Sequence, residues 1–189
     1  QAELRTSHSW SAWIKIDDGV NVNDAIVGAR NAANEDTTLL YISSSGKATY
    51  YYASDGDVKY ATEDSASHVD GVNPWTHVLA TMSYTDSSNA VMKIFVNGVE
   101  RALDGTNNGA YSGNMGDYTS SDEVWIAVED NNNVARWFFD GGMRDVKFFD
   151  YALGADQAAS LYSGSYNVTP TNWWKLDDSI QGTEITTAA

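Results

Sequence analysis

The chain has 189 residues and a formal net charge of −15, from 11 Lys and Arg against 26 Asp and Glu, with 42% apolar and 12% aromatic residues. This is one domain's worth of length with too much apolar content for a disordered acidic tail and no apolar run near the roughly 20 residues of a membrane-spanning helix; its charge repels nucleic acid and anionic membrane surfaces. Zero cysteines exclude disulfides, cysteine-ligated zinc and thiol catalysis and leave the redox compartment open.

The first ten residues carry no apolar signal core, so any export signal is expected to have been removed or to lie elsewhere in a longer precursor. From there on, two prolines, 15 glycines and clusters of Ser, Thr, Asn and Asp between short apolar runs predict many strands joined by turns. Residues 10–17 set Trp10, Ala12, Ile14 and Ile16 on one face and Ser11, Lys15 and Asp17 on the other, with Trp13 alone breaking the alternation. Similar runs follow at 25–27, 38–43, 48–53, 58–62, 75–84, 91–96, 124–129, 137–139 and 145–149. Ten strands at this spacing predict an antiparallel sandwich or barrel. Turns fall at Ser44-Ser45-Gly46, Asp55-Gly56-Asp57, Asp86-Ser87-Ser88-Asn89 and, as a two-residue hairpin tip, Asn97-Gly98. The stretch 104–122 has Tyr111, Met115 and Tyr118 as its main apolar residues and is expected to be a long surface loop, where function often sits. One short helix is expected near 154–163, with an acidic first turn, Gly164 as C-cap, and Leu161 and Leu153 packed on a sheet because two turns cannot stand alone.

Four fragments in order carry a family resemblance: Ser-Trp-Ser-Ala-Trp-Ile-Lys at 9–15, Trp75-Thr76-His77-Val78-Leu79-Ala80-Thr81, Lys93-Ile94-Phe95-Val96-Asn97-Gly98, and the closing run from Phe139-Asp140-Gly141-Gly142 to Phe148-Phe149-Asp150-Tyr151-Ala152-Leu153 before the helix. Together, over residues 9–166, they resemble the laminin-G-like branch of the concanavalin A-like lectin and glucanase jelly rolls. The resemblance implies an all-β, two-sheet antiparallel jelly-roll sandwich spanning 1–189. In one respect the chain departs from it: the strand type Trp-Trp-Lys-Leu-Asp-Asp usually opens such domains, whereas here Trp173-Trp174-Lys175-Leu176-Asp177-Asp178 follows the helix. Either 172–189 folds back to complete the sheet, which an open edge favours, or it begins a following module.

Glycosidases of this architecture need two carboxylates projecting from one strand face. No predicted strand offers them: Asp55 and Asp57 lie in a turn, and the neighbours Glu63-Asp64 and Asp122-Glu123 point to opposite faces. His8, His68 and His77 have no triad or metal spacing, and no Gly-x-Ser-x-Gly elbow exists. Calcium is the better chemical prospect for loops rich in Asp and Asn. The resemblance implies a structural calcium at Asp145 with Asp177 or Asp178, and a second at the rim loop Glu129-Asp130-Asn131-Asn132-Asn133, with Asp130 and Asn132 as ligands; the plain alternative is an Asx-rich turn with solvated carboxylates.

Seven Trp and 11 Tyr exceed what a core of this size requires, and aromatic faces stack on sugar rings. Trp10, Trp13, Trp75 and Trp174 are assigned to the core, and Tyr50-Tyr51-Tyr52 must place a ring on each side of its strand. Tyr111, Tyr118, Trp125 and Trp137, with Asn131, are the candidate carbohydrate contacts. The expected function is a non-catalytic module binding a glycan or glycosylated surface, and the resemblance implies a secreted, cell-surface or phage virion setting. The alternative is a self-associating structural component, a homo-oligomer whose exposed aromatics form the interface; a polysaccharide hydrolase or lyase ranks third.

Overall fold

In chain order the strands are β1 (His8–Ile16), β2 (Asp24–Arg30), β3 (Thr37–Ile42), β4 (Ala48–Ser54), β5 (Asp57–Glu63), β6 (Thr76–Asp86), β7 (Asn89–Val96), β8 (Val99–Glu100), β9 (Leu103–Asn108), β10 (Ala110–Tyr111), β11 (Glu123–Ile126), β12 (Glu129–Asp130), β13 (Ala135–Arg136) and β14 (Gly141–Phe149). One helix, α1 (Ala155–Ser163), precedes β15 (Asn172–Trp174) and β16 (Ile185–Thr186). This computed structural model describes residues 6–17, 22–30, 37–54, 57–68, 74–112, 115, 123–131, 134–165, 167–176 and 185–186. Among them the strands form a first sheet ordered β10-β7-β6-β1-β14-β15-β16, with β8 beside β7, and a second ordered β11-β2-β3-β4-β5-β9. Every pairing is antiparallel, and the two sheets make a jelly-roll sandwich.

Alternation in β1 does what its period requires: Trp10, Ala12, Ile14 and Ile16 enter the core between the sheets beside Leu40, Ile42, Tyr50 and Tyr52 of the second sheet. The break at Trp13 has a cause on the other face. There α1 covers the first sheet, and the Trp13 ring stacks on Tyr162 at 5.6 Å and 25°. Leu153 and Leu161 join Leu79, Phe95 and Phe149 in a second small core under the helix. Gly164 caps α1 in the left-handed conformation at φ 74°, and the Gln157 carboxamide accepts the Gly154 N–H at 2.9 Å. Asn97 and Gly98, at φ 50° and 78°, make the tight β7–β8 turn.

Several expectations are corrected. The first part of 104–122 is strand, not loop: β9 pairs with β5, and β10 with β7. The expected strand 124–129 is interrupted by Ala127, at φ 62°, which separates β11 from β12. Residues 137–139 form no strand; the hairpin β12–β13 just precedes them. Trp75 is 39% exposed rather than core, with the Arg144 guanidinium 4.5 Å over its ring. β15 lies antiparallel to β14, with Trp174 opposite Val146 and packed on the main core.

Candidate functional site

The outer face of the second sheet carries one continuous row of cross-strand partners. Trp125 of β11 lies opposite Gly28 of β2, Gly28 opposite Leu39 of β3, Leu39 opposite Tyr51 of β4, and Tyr51 opposite Tyr60 of β5. Period two forces this placement: Tyr50 and Tyr52 are buried in the core, so Tyr51 must face outward, where its ring lies 5.1 Å from that of Tyr60. A Cβ at Gly28 would come within 2.8 Å of the Thr38 carbonyl oxygen and 3.0 Å of Leu39 Cδ1, so only glycine fits this step of the row. Two residues along, Arg30 stands opposite Thr37.

The β12–β13 hairpin closes one side. Arg136 grips Glu129 in a two-pronged ion pair, Nε donating to Oε2 and Nη2 to Oε1 at 3.0 Å. Arg30 Nη1 donates to the Asp130 carbonyl at 2.8 Å. Trp137 follows at φ 52°, an uncommon conformation for a bulky residue. It is held there because its carbonyl accepts the Ala25 N–H at 3.0 Å and its ring packs 5.4 Å from Tyr41, with the Arg136 guanidinium 4.5 Å above it. The result is a cleft of about 180 Å³ lined by Tyr41, Tyr51, Tyr60, Trp137, Arg30, Arg136, Glu129 and Asn131, with Thr37 and Leu39 also in its walls.

Burial pushes the Tyr41 hydroxyl up to about 12, with nearby Tyr60 and Glu129 adding to it, and raises Tyr51 for the same first reason. Both therefore keep their protons at neutral pH and can donate as well as accept. Hydrogen bonding to Glu129 raises the Arg136 pKa, so its charge is secure. The lining thus combines aromatic faces for apolar C–H surfaces with two guanidinium groups and one carboxylate for polar edges.

Of the expected carbohydrate contacts, Trp137 and Asn131 line this cleft, and Trp125 begins its cross-strand row. Tyr111 is corrected: it is 2% exposed, edge-on to Tyr52 at 5.2 Å, because β10 pairing with β7 turns it into the core. Tyr118 lies outside the described residues, as do Asn132, Asp177 and Asp178. Of the calcium donors that are described, Asp130 has its Oδ1 buried without a hydrogen-bond partner, whereas the others are engaged by side chains. Asp145 Oδ1 already accepts Trp173 Nε1 at 2.8 Å and faces Lys147 Nζ at 3.5 Å, and Glu129 is taken by Arg136. Among the described residues no group of three His, Asp or Glu converges as metal ligands would. Sequence reasoning missed Arg30, Arg136, Tyr41 and Glu129. Parity in β3 could have found Tyr41; an isolated arginine gives no signal until its partners are known.

The sequence profile of the concanavalin A-like lectin/glucanases superfamily matches residues 2–159, and the chain belongs to this family. No curated protein matches the chain. Among solved structures it is similar to the CBM40 of a Ruminococcus gnavus IT-sialidase bound to α2,3-sialyllactose, with TM-score 0.62 and 17% identity over 85% of this chain and 84% of that one. It is also similar to a heptameric SAP-like pentraxin from Limulus polyphemus, with TM-score 0.57 and 15% identity over 96% and 86%. A leech intramolecular trans-sialidase complexed with 2,7-anhydro-Neu5Ac gives TM-score 0.58 and 16% identity over 84% of this chain and 24% of that one. These likenesses are likenesses of fold.

Proposed function

We propose that this domain is a non-catalytic recognition module that seats one terminal sugar of a glycan, preferably a sugar bearing a carboxylate, in the cleft over β2–β5. The observation that carries this reading is the convergence of Tyr41, Tyr51, Tyr60 and Trp137 with Arg30 and Arg136 in one cleft. The rings offer stacking surfaces, and the two guanidinium charges, outnumbering the one Glu129 carboxylate, favour an anionic sugar. The sialyllactose complex of the R. gnavus CBM40 is in keeping with it. Glu129 is the one carboxylate among the described residues lining the cleft and is held by Arg136, which supports binding rather than two-carboxylate hydrolysis. On this reading the module works where glycans are displayed: in a secreted protein, at a cell surface or on a virion.

A glycan array probed with the labelled domain tests the proposal. Signal on glycans ending in acidic sugars, weakened when that sugar is removed enzymatically, is the expected result; a blank array, or release of free sugar from the bound glycan, overturns it.

A second reading, self-association, is favoured by Trp75 and Tyr162, 39% and 42% exposed on the first-sheet side of the molecule. Sedimentation of the free domain separates the two: a stable oligomer with no glycan signal supports assembly, and a monomer that binds glycan removes it.

A further inference from the structure

Beside the cleft lies a second and much smaller hollow. It holds about 10 Å³ and is walled by Gly28, Thr38, Trp125 and Asp130, sharing Arg30 and Leu39 with the cleft. Two of the residues around it each carry a buried polar atom with no hydrogen-bond partner: the Trp125 indole Nε1, which can only donate, and Asp130 Oδ1. Asp130 itself is 8% exposed. A buried donor and a buried acceptor on residues that line one space are costly unless something satisfies both.

The occupant is defined by elimination. An ammonium cannot accept from the indole, and a carboxylate cannot donate to Asp130. A metal ion would find Glu129 already held by Arg136, and Asp130 beside the Arg30 guanidinium, which donates to the Asp130 carbonyl at 2.8 Å. A hydroxyl group or a water both accepts and donates, and the space is about that of one water.

We propose that this hollow is a hydroxyl-reading subsite of the cleft, in which a hydroxyl of the bound sugar accepts from Trp125 Nε1–H and donates to Asp130 Oδ1. Water fills the subsite in the free protein and leaves when the sugar enters. The inference rests on the glycan reading above and adds a selectivity to it. A site whose buried polar atoms are satisfied by one substrate hydroxyl discriminates strongly against the analogue lacking it.

The experiment is a titration of ¹⁵N-labelled protein with α2,3-sialyllactose, following the indole N–H signals of the seven tryptophans, each assigned by its Trp→Phe variant. The signals of both Trp137 and Trp125 are expected to shift. Trp125→Phe and Asp130→Ala should each weaken binding by about tenfold or more. In the wild-type protein, which needs no variant to fold, one monodeoxy sialyllactose should lose as much, and Trp125→Phe should cost that analogue nothing further. A shift at Trp137 without one at Trp125, with every monodeoxy sugar bound equally well, overturns the subsite and leaves the cleft standing. No shift at either signal removes both.

Discussion

The imidazole Nε2 of His8 in the first sheet accepts the hydroxyl of Tyr50 in the second at 2.6 Å, a buried bond between the sheets. Its other nitrogen, Nδ1, donates to the Thr6 carbonyl at 2.8 Å, and Thr38 Oγ1 donates to the Tyr50 oxygen at 2.7 Å. The chain of bonds fixes His8 as the neutral Nδ1–H tautomer and ties the sheets with polar groups that are all partnered.

Acid should therefore loosen the fold. Burial lowers His8, His68 and His77 from 6.5 to about 4; Lys147 adds to the lowering of His77, and Asp145 opposes it. Between those pH values the unfolded chain takes up protons that the folded chain refuses. Stability is thus complete above about pH 6.5 and is lost as pH falls toward 4, by roughly 2 kcal/mol per histidine at pH 5. Asp24, whose carboxyl is raised by burial, works in the opposite direction. Urea unfolding at pH 7 and pH 5 checks this, with a clearly lower midpoint expected at pH 5; equal midpoints would contradict it.

Removing the bridging hydroxyl isolates the His8 contribution. Tyr50→Phe leaves a buried nitrogen without its donor and is expected to cost about 1–3 kcal/mol in urea unfolding at pH 7.

Glu63 is a buried carboxylate of structural kind. It accepts the Ala48 N–H, Ser67 Oγ and Arg101 Nε, each at 2.7 Å, and is 0% exposed. Glu63→Ala strands three donors and should destabilise the domain by roughly 3–5 kcal/mol, with Glu63→Gln milder because an acceptor oxygen remains. Paired urea curves for the two variants decide it.

Trp137→Ala is expected to weaken glycan binding about tenfold and to cost about 1–3 kcal/mol of stability, since the half-buried ring that packs on Tyr41 and under Arg136 is lost while the left-handed backbone remains. Affinity and melting temperature measured on the same sample check both halves.

Divalent ions can be removed directly. With Asp145 engaged by Trp173 and Lys147, and Glu129 by Arg136, a chelator should leave the melting temperature unchanged. A fall of several degrees would show that an ion stabilises the folded state by mass action.

The sandwich was legible because burial on one face writes itself as period two, and Trp10 to Ile16 or Tyr50 to Tyr52 show it without any partner in view. Trp13 looked like an exception only because the helix that covers it lies far along the chain. Tyr111 was misread for a related reason: in a two-residue strand, pairing rather than periodicity decides which way the ring points. The cleft was half legible. Trp137 and Asn131 stood out by residue type, whereas Arg30 and Arg136, 106 positions apart, acquire meaning only when the β12–β13 hairpin brings the second beside the end of β2.

Calorimetric titration of the wild-type domain with α2,3-sialyllactose and with lactose tests the central claim most directly, because the pair differs by the one sugar that carries a carboxylate. Saturable binding of the first, with the second at least about tenfold weaker, is what two arginines among the aromatic rings of the cleft predict. Equal affinities, or no heat from either, would contradict it.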